Sequence, residues 1–174
     1  MTRSDHELLL GEWACLGVLA AAPTHGFAVA QRLRHEGDLG RVWSLSRALT
    51  YRALDQLTAR GLVEPVGTEV GVAGGQRTVL TATAHGRKRL EEWLSRPVLH
   101  LRDLRSELLL KLLLCDVAGQ PTRPLLLHQR EVLAQMAAAH AEPIDTAAND
   151  VVAVWRHEAS RAAVRFVDRL LAAA

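Results

Sequence analysis

Aromatic residues are scarce in this chain, which has one tyrosine, two phenylalanines and four tryptophans among 174 residues. Cysteine is scarcer still: Cys15 and Cys115 stand alone, with no Cys-x-x-Cys spacing. That excludes a disulfide framework and a cysteine-based metal site, and both side chains read as buried free thiols suited to the cytoplasm. No run reaches about 18 uncharged apolar residues, so a membrane-spanning helix is excluded. The opening Met1–Glu7 has no apolar core behind a basic head, so no secretion signal is expected and the expected compartment is the cytoplasm. The eight histidines form no His-Glu-x-x-His, His-x-His or Cys/His cluster with metal-ligand spacing. Gly-x-Ser-x-Gly and Gly-x-x-x-x-Gly-Lys are also missing, and Gly71, Gly74 and Gly75 precede a predicted strand where a nucleotide loop would need a helix. The expectation is a protein that is not an enzyme and carries no cofactor.

What the chain does have is a globular composition, 49% hydrophobic and 23% charged, enough to fill a core and too little charged for disorder. The formal net charge of +2 is unevenly spread. Between Arg41 and Arg89 eight basic residues face three acids, an excess of +5, whereas from residue 101 onward nine basic residues balance nine acidic ones. A basic middle followed by a neutral half predicts that one part meets a polyanion and the other meets protein.

Periodicity predicts the elements in order. Leu9, Leu10, Trp13, Leu16, Gly17 and Ala20 mark an amphipathic helix over His6–Ala21, ended by Pro23. Thr24-His25-Gly26 reads as a turn that opens a second helix, Gly26–Glu36, and Arg41–Ser44 reads as extended. Ser46 is a good N-cap for a third helix, Ser46–Arg60. Leu49, Ala53, Leu54 and Leu57 form its apolar stripe, and Arg47, Ala48, Tyr51, Arg52, Asp55 and Thr58 its outer face. Gly61 fits the left-handed position just past its end. Leu62–Val66 reads as a strand, placed at an edge by Pro65. Gly67–Gly75 reads as a glycine-rich turn and Gln76–Thr81 as the returning strand. Thr83 caps a fourth helix to Leu94. Leu101–Val117 is apolar almost all round and therefore buried on several sides. A helix to His140 carries Leu126, Leu133 and His140 seven apart. Pro143 separates it from a last helix, Thr146–Ala172, striped with Val152, Trp155, Ala159, Ala162, Phe166 and Leu170.

Three helices, a hairpin and a fourth helix within about 90 residues is the order of a winged helix-turn-helix. The predicted fold class is mainly α with a small β-hairpin wing, a winged helix-turn-helix domain over 1–96 and a C-terminal α-helical dimerisation domain over 97–174. In such a fold the third helix packs by one face and offers the other to the major groove, which is wide enough to admit it. Ser46, Arg47, Tyr51 and Arg52 on that helix, with Gln76 and Arg77 on the wing, are the expected DNA-binding residues. Arginine can bond guanine O6 and N7 or a phosphate, and the tyrosine hydroxyl can bond a phosphate oxygen. Arg47 and Arg52 also read as ordinary solvated helix residues, Tyr51 as cover for an adjacent apolar edge, and the glycines as a plain hairpin tip.

The ordered segments Pro23-Thr24-His25-Gly26-Phe27, Trp43-Ser44-Leu45-Ser46, Tyr51-Arg52-Ala53-Leu54-Asp55-Gln56-Leu57 and Arg60-Gly61-Leu62-Val63 resemble the hallmarks of PadR-family transcriptional regulators. Leu80-Thr81-Ala82-Thr83-Ala84-His85-Gly86 is similar to the segment closing that family's wing, and Arg102–Leu112 to the start of the C-terminal domain in its longer members. The resemblance implies a homodimeric bacterial repressor that binds a palindromic operator, with effectors, where members have them, that are small aromatic or apolar compounds. The chain departs from the family at Phe27, where a tyrosine is common, at Ala48 for glycine, at Arg52 for proline and at Val79 for an aromatic. Arg52 adds a cation on the DNA-facing side, so base preference does not carry over.

The C-terminal helices have more apolar surface than a 90-residue domain alone needs to cover, and a partner subunit is the simplest cover, the alternative being that they pack only on each other and on the first helix. The dimer interface is assigned to Leu108, Leu112, Trp155, Ala159, Ala162, Phe166 and Leu170. Trp93 and Trp155 are the candidate ligand-binding residues, since indole stacks on flat apolar compounds, although at helical spacing tryptophan is usually core. Two alternatives stay open: a winged helix that meets protein without specific DNA binding, and a MarR-like repressor. The second would flank the winged domain with dimer helices on both sides, and here nearly all extra sequence is C-terminal.

Overall fold

A computed structural model of the chain describes residues 7–71, 75–140 and 150–173. Helix α1 (Leu10–Ala21) leads through strand β1 (Thr24–His25) into α2 (Gly26–Leu33) and α3 (Arg47–Ala59). Strands β2 (Val63–Val70) and β3 (Gln76–Ala82) form the wing, and α4 (Ala84–Ser95) follows. A 3-10 turn (Leu101–Asp103) and a π-helical turn (Leu104–Leu108) precede α5 (Leu109–Val117), α6 (Arg123–Ala139) and α7 (Val151–Ala173). This is the expected class, a mainly helical winged helix with extra C-terminal helices. Among the described residues no helix is long and apolar enough to cross a membrane.

The chain forms two compact units, Met1–Trp93 with Leu109–Gln120, and Leu94–Leu108 with Pro121–Ala174. A boundary was expected at 96/97, and the units interleave there instead. The predicted helix 101–117 is broken into three pieces, of which only α5 joins the first unit, where it packs on α1.

In the first unit every residue of α1 from Gly11 to Leu19 is buried. An apolar helix enclosed to this degree needs cover on several sides, and α3 and α5 both supply it. Leu114 of α5 lies so close over Gly17 that an added Cβ would meet its methyl at 2.6 Å. Fully burying each leucine of this core, Leu16 and Leu19 among them, contributes about 1.5–3 kcal/mol. The buried carboxylate Glu12 is satisfied locally: Oε2 accepts the Leu9 N–H at 2.7 Å and lies 3.8 Å from Arg60 Nη1. It thereby ties the start of α1 to the end of α3. The helix begins at Leu10, and the expected start at His6 lies outside the described residues.

Three expectations about the winged domain are corrected. Helix α2 ends at Leu33, because Arg32 accepts from Leu39 and Gly40 N–H through its carbonyl and holds Asp38 side-on through its guanidinium, Nη2 to Oδ2 at 2.5 Å. That guanidinium keeps the Asp38 carboxyl below its ordinary range. Arg41–Ser44 is not extended, since the Val42 and Trp43 N–H groups both donate to the Leu39 carbonyl at 3.0 and 3.1 Å. Thr24–His25 is not only a turn. It pairs antiparallel with Leu80 and Val79, making a three-stranded sheet in the order β1-β3-β2.

The edge position that Pro65 implied for β2 is observed, and a bulge falls between Pro65 and Gly67. Past the bulge the ladder continues from Gly67 opposite Val79 to Val70 opposite Gln76, so β2 is longer than the sequence suggested and Gly67 belongs to the strand. Gly74 of the expected turn lies outside the described residues. Gly61 has φ +66°, as its place after α3 requires.

In the second unit α6 packs on α7, burying Leu125, Leu126, Leu133 and Val167. Gln129, fully buried, grips the backbone of Val98: its amide donates to the Val98 carbonyl at 2.9 Å and its Oε1 accepts the Val98 N–H at 2.7 Å. Arg130 and Asp168 close the outer side at 2.5 Å. Pro143 and the expected start of the last helix at Thr146 lie outside the described residues.

Candidate nucleic-acid interface

Helix α3 opens as the sequence implied, with Ser46 Oγ accepting the Leu49 N–H at 3.3 Å. Its buried face is turned from the expected one. Thr50, Ala53, Leu54 and Leu57 point inward, whereas Leu49 is 51% exposed. Thr50 reaches the interior without an unpaired hydroxyl because its Oγ1 donates to the Ser46 carbonyl at 3.1 Å. The rotation leaves Arg47, Ala48, Tyr51, Arg52, Asp55 and Thr58 on the outside, as read.

Beside this face the wing rises from β3, and a groove of about 820 Å³ lies between the two. Arg47 and Tyr51 line it from α3, Gln76 and Arg77 from β3, and His25 and Phe27 from the start of α2. Four of the six expected DNA-binding residues are thus gathered around one groove. Ser46 faces a neighbouring depression of about 460 Å³ that also holds Arg34 and shares Phe27 and Arg47. Arg52 is exposed on α3 and lines neither.

The groove is organised by rings. Arg47 holds its guanidinium 5.6 Å from the Phe27 ring centre and 5.7 Å from that of Tyr51, and Arg77 lies 5.1 Å from Phe27. Phe27 therefore orients one cation from the helix and one from the wing, each such contact worth about 0.5–1 kcal/mol at an exposed site. Gly26 makes room for this: a Cβ there would stand 3.0 Å from Tyr51 Cε1 and 3.1 Å from Leu54 Cδ1. His25 caps α2, its Nδ1 accepting the Ala28 N–H at 3.0 Å. Its place in the groove, like that of Phe27, adds to the residues expected there from the sequence. The signal was the Thr24-His25-Gly26-Phe27 segment itself, whose β1 pairing with Val79 and Leu80 brings it to the root of the wing.

The wing is anchored below by Arg87 of α4, which donates to the Ala20 carbonyl and, at 3.1 Å, to Thr81 Oγ1. Among the described residues no group of three or more His, Cys, Asp or Glu gathers as a metal site would require.

The remaining expected site residues lie elsewhere. Trp93 on α4 stacks on Trp13, with ring centres 4.8 Å apart and planes within 6°, and Lys111 Nζ lies 4.7 Å from its centre. Leu108 is fully buried within its own chain and leaves no surface for a partner, while Leu112 is partly buried. Helix α7 buries Ser160 and Val167. Its predicted stripe is turned outward: Val152 is 54%, Trp155 68% and Phe166 40% exposed, Ala162 is exposed, and Ala159 and Leu170 are partly so.

A winged helix with cations on the outer face of its third helix and on the adjoining hairpin defines a DNA-binding transcriptional regulator. Residues 15–92 match the family described as Transcriptional regulator PadR-like family. No curated protein sequence matches the chain. Among solved structures, Bacillus subtilis PadR in complex with operator DNA is 19% identical, with a TM-score of 0.47, over 92% of this chain and 96% of that one. The same PadR in complex with p-coumaric acid is 20% identical, TM-score 0.41, over 94% of each chain. Smu.1604c from Streptococcus mutans UA159 is 14% identical, TM-score 0.44, over 94% of this chain and 99% of that one.

Proposed function

We propose that the chain is a homodimeric repressor that places α3 of each subunit in the major groove of a palindromic operator and lays its wings on the flanking backbone. The observation that carries this reading is the convergence of Arg47 and Arg77 on Phe27, which points two cations from different elements into one groove beside the exposed face of α3. Two linked modules bind a two-fold site far more tightly than one, by effective concentration, with half-sites about one helical turn apart. Repression is by occlusion, the dimer covering a promoter against polymerase.

The dimer reading rests on α7, whose outward stripe from Val152 through Trp155 to Phe166 is apolar and exposed among the described residues. An aromatic effector is part of the same reading, with Trp93 and Trp155 as separate candidate contacts, each within its own unit. It would act by binding the two spacings of the recognition helices with different affinity.

The test is fluorescence anisotropy with a labelled duplex from directly upstream of the gene and a scrambled duplex, at several salt concentrations. Tight, sequence-selective binding is expected. Equal weak binding to both duplexes at every salt concentration would favour a winged domain that serves a protein partner.

A further inference from the structure

His25 and Arg77 present an arrangement that the winged fold does not explain. His25 Nδ1 accepts the Ala28 N–H at 3.0 Å and so carries no proton. In the neutral ring the proton then sits on Nε2, which makes that atom a donor. Yet the atom 3.4 Å from Nε2 is Nη1 of Arg77, which can only donate. The opposite tautomer would set two donors against each other at the shorter, helix-capping contact, and is disfavoured. So two N–H groups, one from the start of α2 and one from the wing, converge with no acceptor between them among the described residues.

Among the described residues neither His25 Nε2 nor the Arg77 guanidinium is bonded to a carboxylate or carbonyl. The guanidinium is held over Phe27, and the second cation on that ring is Arg47. Both side chains are only partly exposed and open into the groove beside α3. Facing donors with a fixed cation behind them are complementary to a single oxyanion that bridges both.

We infer that His25 Nε2–H and Arg77 form a clamp for one phosphodiester oxygen of the DNA backbone, at the seam between α2 and the wing. The inference rests on the DNA-binding reading above and assigns a residue and an atom to it. A phosphodiester is the anion that fits, because the groove adjoins the cationic outer face of α3 and the stretch from Arg41 to Arg89 carries the basic excess of the chain. His25 is thus a positioning cap on one edge and a phosphate donor on the other.

The test uses the full chain and a labelled duplex of arbitrary sequence, since backbone contacts need no operator. His25→Asn keeps an oxygen to cap Ala28 and cannot reach the phosphate. Its affinity is expected to fall about tenfold, the worth of one hydrogen bond to a charged group, with the melting temperature kept near that of the parent. Arg77→Gln is expected to lose at least as much and to flatten the slope of log K against log salt by about 0.9. The double variant should lose less than the two single losses combined, because Arg77→Gln already loosens the oxygen that His25 holds.

A His25→Asn protein that binds like the parent, or losses that simply add, overturns the clamp while the DNA-binding reading stands. If the parent itself binds no duplex at low salt, it is that reading which falls. A spectrum of the imidazole nitrogens of the unmutated protein gives an independent check: His25 should show the Nε2–H tautomer and shift when duplex is added. A shift with inorganic phosphate but none with duplex, at matched ionic strength, would make this a site for a free anion and overturn the assignment to DNA.

Discussion

Trp13 and Trp93 lie face to face, 4.8 Å between ring centres and 6° from parallel, so that α1 and α4 are joined by one indole pair with the Lys111 ammonium of α5 beside it. Three helices of the first unit meet at this point. Trp93→Ala should therefore cost about 2–4 kcal/mol, from lost packing area and the stacking contribution together, read as a lowered denaturant midpoint. Near-ultraviolet circular dichroism should lose the signal of the coupled rings. An unchanged midpoint would show that α1 and α4 are held together without the pair. A planar effector that reaches Trp93 must also open this stack, so its binding should change tryptophan emission. Saturating aromatic compounds that alter neither emission nor operator affinity would remove Trp93 and Trp155 as ligand contacts.

Arg47 faces the groove with its guanidinium between the rings of Phe27 and Tyr51. Replacing it by alanine should weaken operator binding by about 1–3 kcal/mol if it reads a base, with sequence preference lost at that position. A loss that is the same on every duplex, with a shallower salt dependence, would make it a phosphate contact. Binding curves on operator and scrambled duplex separate the two.

Both thiols should be inert in the folded protein. Burial, with the Glu12 carboxylate nearby, pushes Cys15 up to about 12, and burial also raises Cys115. The thiolate is the reactive form, so a disulfide reagent at pH 8 should label neither residue until the chain is unfolded. The unfolded chain releases the Cys15 proton near the ordinary thiol value, and the folded chain keeps it up to about 12. Stability should accordingly fall as pH rises through that window. Rapid labelling of the native protein at pH 8 would contradict the burial of both sulfurs.

The exposed stripe of α7 should hold two chains together. Trp155→Glu or Phe166→Glu puts a charge into an apolar contact, and light scattering should then fall from the mass of two chains to that of one, with helicity kept. A parent protein that is already a single chain at micromolar concentration would remove the dimer from the proposed function.

Gln129 should matter more than its polarity suggests. Gln129→Leu leaves the N–H and carbonyl of Val98 buried without partners, a cost of about 2–4 kcal/mol. Thermal unfolding would show it. No change would mean that the Val98 backbone finds other partners.

The order of helices and wing was legible because each depends on local signals: Pro23 ending α1, Ser46 capping α3, Gly61 following it, Pro65 marking the edge. What escaped the sequence reading depends on partners remote in the chain. Thr24 and His25 become a strand only because Val79 and Leu80 come alongside. Thr50 displaces Leu49 from the interior because its hydroxyl can bond back to Ser46, a choice that periodicity of apolar residues cannot see. Gln129 of α6 is held inside only because the Val98 backbone lies beside it, 31 positions away in the chain. In the candidate interface, the cations Arg47 and Arg77 were visible as charges, but the ring that orients both, Phe27, lies 20 positions from one and 50 from the other.

Helix α5 lies beyond the winged domain in the chain and yet belongs to its core, with Leu114 seated on Gly17 of α1. The DNA-reading part is consequently not a cassette that can be lifted out at residue 96 and grafted onto another protein. Cut there, α1 would lose the cover of α5 and present an apolar flank to water, and a working transplant must carry the chain through Gln120, with everything between.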